Sequence, residues 1–443
     1  IGATLMAGGY VDQAALRQAE QAVAAEWKPG DVILDLYEVR KVTEGFGEDA
    51  IEKDYHEGGF GRVYKVWHRG WNMELAVKAP KPAAYNTPDK KEKFIRECET
   101  WINLGLHPNV AACYYVRNLG CVPRVFSEYA TSGTLEDWIT TGRLYEGSEK
   151  EALEHILDIA IQFAWGLHHS HEYAGGIIHS DVKPLNVLML NHGTAKVSDF
   201  CLSKVRTLPD GEINAFHDKK SGKAIQASGC TLAYCSPEQL KGQQLTRRTD
   251  IWSWGLSVLA MFSGGATWAQ PSFPTGHFAA EILETFLEHN NQDVRETDPE
   301  MESIPLMPIE VAELLRHCFQ SNIDARPNTM ADCVAPLLDV YRAETGNNYP
   351  REWPEATKLL ADSLNNRGVA SIELGNEAQA VQYWNQALGI DPTHAAAKIN
   401  LVLNKWNRSE LSIHDAQSEI AQLTVSTTLH PEVQTWLGYL DNC

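Results

Sequence analysis

The sequence contains no Cys-x-x-Cys pair: its nine cysteines lie scattered at 98, 113, 121, 201, 230, 235, 318, 333 and 443. Their spacing traces neither a disulfide framework nor a zinc site, and this usage is that of a reducing compartment. Long apolar runs are missing too. The most apolar stretch, DIWSWGLSVLAMF, is too short and too polar at its edges to cross a bilayer. No basic region followed by an apolar one opens the chain. A cytoplasmic protein without a membrane span is therefore expected, and a start at Ile1 rather than Met is expected of a piece of a longer chain. Basic residues are scarce, since 38 Lys and Arg against 58 Asp and Glu leave a net charge of -20 and a pI near 5.2. Such a field repels nucleic acid and anionic membrane, so neither is expected as a general partner, although a local basic patch stays open. What is present, 44% hydrophobic and 22% charged residues over 443 positions, suits a soluble chain of two or three domains.

Along the chain the pattern changes character three times. Val11, Ala14, Ala15, Ala22, Val23 and Trp27 recur at helical spacing and Pro29-Gly30 closes the run, which predicts a helix over 11–28. From VILDLYEVRKV through GRVYKVWHRG to MELAVKAPK the pattern alternates and is β-branched, as an antiparallel sheet requires, and a helix is predicted over about 89–105. Beyond PRVFSEYATSGTLEDWI come long helical runs, notably EALEHILDIAIQFAWGLHHSHEY, TDIWSWGLSVLAMFSG and PIEVAELLRHCFQ. The stretch YRAETGNNYPREWPEA, with two prolines, reads as a linker to a third, all-helical part.

Several short signals carry chemistry. DYHEGGFGRVYKV sits between two strand-like runs, and Gly58, Gly59 and Gly61 would let backbone amides approach phosphate oxygens. A bare hairpin turn would explain those glycines equally well. Lys78, in the apolar strand LAVKAP, offers a point charge for nucleotide phosphates, where a solvated lysine is the plain alternative. Glu97 in KEKFIRECETW could orient it, with Glu99 as second choice, against the plain reading of a surface glutamate. HSDVKPLNV then sets Asp181, Lys183 and Asn186 at fixed spacing, and Asp199 follows in AKVSDFCLSKV at the end of an apolar run. Asn186 and Asp199 supply the hard oxygen donors that magnesium takes beside a nucleotide.

Taken in order, the glycine-rich turn, strand lysine, helix glutamate, Asp-x-Lys-x-x-Asn, Asp-Phe and Ser-Pro-Glu resemble the protein kinases over residues 37–342. The resemblance implies an α+β, bilobal kinase fold: a small antiparallel-sheet lobe over 37–129 and a large helical lobe over 130–342. A helical extension over 1–36 would precede it, and a linker over 343–356 would follow. It implies ATP and Mg2+ as cofactors and a protein Ser or Thr hydroxyl as acceptor, since Lys183 and the Thr231 of CTLAYCSPE match serine/threonine kinases. Gly58 and Gly61 would cap the phosphates, and Val63, Ala76 and Leu188 would sandwich the adenine. Glu128 and Ala130 would present hinge backbone, with Ser127 guarding the pocket behind it. Lys78 would hold the α- and β-phosphates with Glu97 as partner, Asp181 would act as base, Lys183 would neutralise transferring charge, and Asn186 and Asp199 would hold the metal. Glu238 should pair with Arg326, and Asp250 should brace the catalytic loop.

Departures from the family pattern bear on activity and its control. His56 replaces the first glycine of the nucleotide loop, and Ser180 replaces an arginine that grips an activation-loop phosphate in many kinases. Cys201 replaces the glycine of Asp-Phe-Gly, and the segment holding HDKKSGKAIQASG is long, its lysines offering the one local basic patch. None removes a group that does chemistry, so an active kinase is expected, independent of a phosphate clamped at position 180. The rival is a pseudokinase scaffold that binds nucleotide and recruits partners through its tail; a small-molecule kinase fits the Ser-Pro-Glu and TDIWSWG motifs less well. That tail, over 357–443, is expected to be all-helical. Within it, residues 361–394 resemble a tetratricopeptide repeat, with Leu364, Gly368, Ala380, Trp384, Ala387 and Pro392 at its characteristic positions. The resemblance implies a protein-binding module, while the bland alternative is a helical cap on the large lobe.

Overall fold

The computed structural model describes residues 26–44, 50–57, 61–80, 87–119, 122–172, 176–200, 204–205, 231–270, 273–289, 303–354 and 361–424. These fall into two compact units, one within 1–105, 112–129 and 358–443, the other within 106–111 and 130–357. Gly58, Gly59, Cys201, the segment carrying HDKKSGKAIQASG and most of the stretch expected to form the first helix lie outside the described residues.

Period-two alternation builds the first unit. Strands β1 (Val32–Ile33), β2 (Tyr37–Arg40), β3 (Val42–Glu44), β4 (Ile51–Lys53), β5 (His56–Glu57), β6 (Gly61–His68) and β7 (Met73–Pro80) precede helix α1 (Pro88–Asn103), and β8 (Cys113–Leu119) and β9 (Val122–Glu128) follow it. An antiparallel sheet runs in the order β1-β2-β6-β7-β9-β8, with β5 paired to β6. In β6 and β7 the residues Tyr64, Val66, Leu75 and Val77 are buried on one face, joined by Tyr37 and Phe126. At about 25 cal/mol per Å² of apolar area, each such side chain contributes roughly 1.5–3 kcal/mol.

Trp27 completes that core, fully buried with its ring centroid 5.4 Å from Tyr64. It does so from non-helical chain ahead of the Pro29-Gly30 turn, where the spacing predicts helix. The buried Arg124 guanidinium lies 3.9 Å over the Trp27 ring, and burial pushes its pKa down to about 10. Between β2 and β5 the chain forms an extra hairpin, β3 against β4, which the sequence pattern does not announce. Helix α1 turns Phe94, Cys98, Trp101 and Ile102 inward at helical spacing.

The second unit is mostly helical. It holds α2 (Leu135–Thr140), α3 (Glu149–Glu172), β10 (Ile177–Ile178), β11 (Val187–Met189), β12 (Ala195–Val197), β13 (Lys204–Val205), α4 (Pro237–Leu240), α5 (Arg247–Phe262), α6 (Ala279–His289), α7 (Ile309–Cys318) and α8 (Met330–Thr345). From Thr249 to Phe262 every residue of α5 is buried, as an apolar helix at the centre of a bundle must be. After α8, residues 349–353 of the expected linker are tied to α3. Tyr349 Oη donates to Asp158 Oδ1 at 2.6 Å, Arg351 makes a bidentate ion pair with the same carboxylate, and Trp353 packs edge-on against Trp165 of α3.

Back in the first unit, α9 (Ala361–Glu373), α10 (Glu377–Ile390), α11 (Ala395–Asn407) and α12 (Ile413–Thr424) form two successive hairpins. The first closes on Leu364, Ala380, Trp384 and Ala387, and a Cβ at Gly368 would stand 2.3 Å from Trp384 Nε1. The second has its own core of Ile399, Val402, Ala416 and Ile420. Helix α9 packs on β8 and α1 within the same unit. Among the described residues no helix is long and apolar enough to cross a membrane.

Candidate active site

The loop after β10 is organised around two buried carboxylates. Asp250, near the start of α5, accepts the backbone N–H groups of His179 and Ser180 and a contact from His171 Nε2, all at 2.8 Å. It therefore does brace the catalytic loop. Ser180 stands at φ +62°, a left-handed backbone that costs a non-glycine residue about 1 kcal/mol. Its N–H on Asp250 and its carbonyl, which accepts Gln239 Nε2 at 2.7 Å, hold it there. The serine thus keeps the loop's backbone geometry without offering a phosphate grip. Glu238 makes the expected buried bidentate pair with Arg326, at 2.8 and 3.1 Å.

Asp181 is the second carboxylate. Its Oδ2 accepts Lys183 Nζ at 2.8 Å and Asn186 Nδ2 at 3.1 Å, while Oδ1 accepts the N–H and hydroxyl of Thr231, both at 3.1 Å. Lys183 Nζ also donates to Thr231 Oγ1 at 2.6 Å. Asp181 is only 8% exposed, and in such a buried site charge interactions are strengthened. Glu136 of α2, which sequence reasoning overlooks, lies beside Lys183; burial raises its pKa, and Lys183 and the Leu185 N–H oppose that rise. Gln239 was legible in principle, because Ser236 and Gln239 form a capping box with the Ser-x-x-Gln signature.

Asn186 spends its Nδ2 on the Asp181 backbone and carboxylate, which turns its Oδ1 away from both. Ser198, beside Asp199, is tied back by its N–H and hydroxyl to the Asn186 carbonyl at 2.9 and 3.1 Å. Asp199 itself sits at φ +60°. One amide oxygen and one carboxylate would make a hard, sparse donor set. Magnesium suits it, since that ion keeps waters and takes phosphate oxygens for the rest.

In the first unit, Val63 stands directly opposite Lys78 across β6 and β7, and Ala76 opposite Ser127 across β7 and β9. Opposed residues of an antiparallel pair share a face, so Val63, Ala76, Lys78 and the buried Ser127 line the side opposite the Tyr64 and Val77 core. Gly61 has a packing reason of its own, since a Cβ there would lie 2.2 Å from the Ala79 carbonyl oxygen. His56 lies in β5 opposite Val63, where extended backbone needs no glycine. Glu97 belongs to α1, and its side chain lies outside the described residues. Glu99 accepts Asn376 Nδ2 at 2.6 Å, and position 97 falls about 160° around the helix from it. Glu128 exchanges hydrogen bonds with Ala112 at the end of β9. In the second unit Ala130 lies two positions further along the sequence, and Leu188 lies in β11 opposite Lys196.

Comparison with known proteins places this geometry. The family model described as protein kinase domain matches residues 52–337. An L-type lectin-domain containing receptor kinase of Arabidopsis thaliana is 29% identical over 76% of this chain and 49% of its own length. A probable serine/threonine-protein kinase of Streptomyces coelicolor is 30% identical over 45% of this chain and 27% of its own. One from Clostridium perfringens is 34% identical over 47% and 27%. The chain thus spans half or less of the length of these relatives.

Proposed function

Since this chain belongs to the protein kinase family, we propose that it is an ATP-dependent serine/threonine kinase that transfers the γ-phosphate to a protein hydroxyl. One observation carries the reading: a single buried carboxylate, Asp181, gathers Lys183, Asn186 and Thr231 around itself. Phosphoryl transfer passes through a loose transition state, so positioning and charge stabilisation supply most of the acceleration. Asp181 orients the acceptor hydroxyl and takes its proton as the O–P bond forms. Lys183 offsets the charge on the phosphoryl group in flight. Lys78, paired with Glu97, holds the α- and β-phosphates, and Val63, Ala76 and Leu188 flank the adenine that Glu128 and Ala130 bind through backbone. Asn186 and Asp199 would hold magnesium, which screens the phosphate charge.

Thr231 and Lys183, both in contact with Asp181, support a serine or threonine acceptor rather than tyrosine. Ser180 supports activation without a phosphate clamped at that position. The cysteine usage supports a cytoplasmic setting, and we read the two C-terminal hairpins as tetratricopeptide-like. Purified protein, incubated with labelled ATP, magnesium and a generic protein substrate, should yield phosphoserine and phosphothreonine, and Lys78→Met should abolish both. Bound nucleotide without transfer would instead establish the scaffold reading.

A further inference from the structure

Helix α1 carries Glu97 but lacks a basic residue in its last turn, so it supplies no cation of its own to the carbonyls that a helix end leaves unpaired. The C-terminal hairpin supplies one. Arg367 of α9, 5% exposed, donates through Nη2 to the carbonyl of Asn103, the last residue of α1, at 3.3 Å. Two more contacts fall on the same helix. Tyr383 Oη of α10 donates to Asn103 Oδ1 at 2.9 Å, and Asn376, in the turn between α9 and α10, donates to Glu99 Oε1 at 2.6 Å. Positions 99 and 103 are one turn apart and share a face of α1, the face away from position 97. Beside them, Asn118 at the end of β8 donates its backbone N–H to Glu373 Oε2 at 3.0 Å and its side-chain amide to the Glu373 carbonyl.

The α9 face is therefore engaged within the chain, so an external partner of the kind the tetratricopeptide resemblance implies would have to displace it. We propose that the α9–α10 hairpin is an internal clamp on α1, and that Arg367, Asn376 and Tyr383 are positioning residues acting through Glu97 on Lys78. The step to Lys78 rests on the kinase reading; the clamp itself does not. Release of the hairpin, by a ligand competing for the α9 face or by a change at the Asn376–Glu99 contact, frees α1 at its C-terminal end and lowers nucleotide affinity.

The test uses the full chain and four variants: Tyr383→Phe, Asn376→Asp, the pair combined, and Asn376→Asp with Glu99→Gln. Aspartate at 376 faces Glu99 with like charge, and glutamine at 99 restores a donor–acceptor pair of reversed sense. Hydrogen exchange over residues 88–103 should quicken at least fivefold in the combined variant, with residues 377–390 within twofold of the unaltered protein. Glu99→Gln should return Asn376→Asp to within twofold. KM for ATP should rise at least threefold in the combined variant, with KM for the protein substrate unmoved. Unchanged exchange over 88–103, or failure of the swap to restore it, would overturn the clamp. Faster exchange with an unmoved KM for ATP would overturn its link to Lys78. Absence of any phosphate transfer by the unaltered protein would count against the kinase reading alone, because exchange needs no nucleotide.

Discussion

Replacing Thr231 with valine removes one oxygen from the centre of the site and keeps the β-branched shape. That hydroxyl donates to Asp181 Oδ1 at 3.1 Å and accepts Lys183 Nζ at 2.6 Å, while the Thr231 backbone N–H continues to hold Asp181 Oδ1. Two charge-assisted bonds go and one stays, so Asp181 keeps an anchor, and Lys183 keeps its contact to Asp181 Oδ2 but loses the second one, to Thr231, that fixes it in line. A hydrogen bond to a charged group is worth about 1.5–3 kcal/mol. If that is lost from the transition state, kcat should fall by about 10- to 150-fold. The global fold should be spared, because the remaining donors still pair with Asp181. Steady-state kinetics of γ-phosphate transfer, with ATP and protein substrate varied in turn, should show the loss in kcat and little in KM for ATP. Thr231→Ser keeps the hydroxyl and should stay within about threefold of the unaltered protein. A valine variant with kcat within threefold, or a serine variant that falls as far as valine, would refute the role given to this hydroxyl.

Three other outcomes follow from the packing. His107 is buried, its Nδ1 accepts the Asn109 N–H at 3.1 Å, and burial, with His169, Lys196 and His168 nearby, pushes its pKa down from 6.5 to about 3. Between those values the unfolded chain binds the proton that the folded chain refuses. Stability should therefore be level above pH 6.5 and decline below it by about 1.4 kcal/mol per pH unit. His107→Gln should flatten that part of the urea-denaturation profile between pH 7 and 5, and an unchanged slope would contradict the assignment. Arg351→Met should cost about 1 kcal/mol in urea denaturation of the large unit, a value discounted because the Arg351 side chain is 34% exposed and partly screened. Gly368→Ala drives a Cβ into the Trp384 indole and should destabilise the first C-terminal hairpin by about 1–3 kcal/mol, read as faster proteolysis within 361–390.

Much of the fold was legible because its signals are local. Alternation in GRVYKVWH and MELAVKAP fixes which side chains enter the core, and the apolar run of α5 declares a buried helix. The cluster around Asp181 was legible for the same reason: Asp181, Lys183 and Asn186 sit within one short loop, so their spacing carries their geometry. What stayed hidden depends on partners far apart in sequence. Nothing local to Asp158 says that Tyr349 and Arg351 will close on it, and nothing in ADSLNNRGVASIE says that α9 covers β8 and α1. The β3–β4 hairpin escaped notice because three-residue strands give too short an alternation to read.

The most direct test of the account is magnesium-dependent transfer of the ATP γ-phosphate by the unaltered chain and by Asp181→Asn. Asparagine keeps the shape and the contact to Thr231 N–H but cannot take the acceptor's proton or hold Lys183 by charge. Phosphate should appear on serine and threonine with the unaltered chain, and the rate should fall at least about a hundredfold with asparagine. Transfer that survives Asp181→Asn undiminished would contradict the mechanism at its centre.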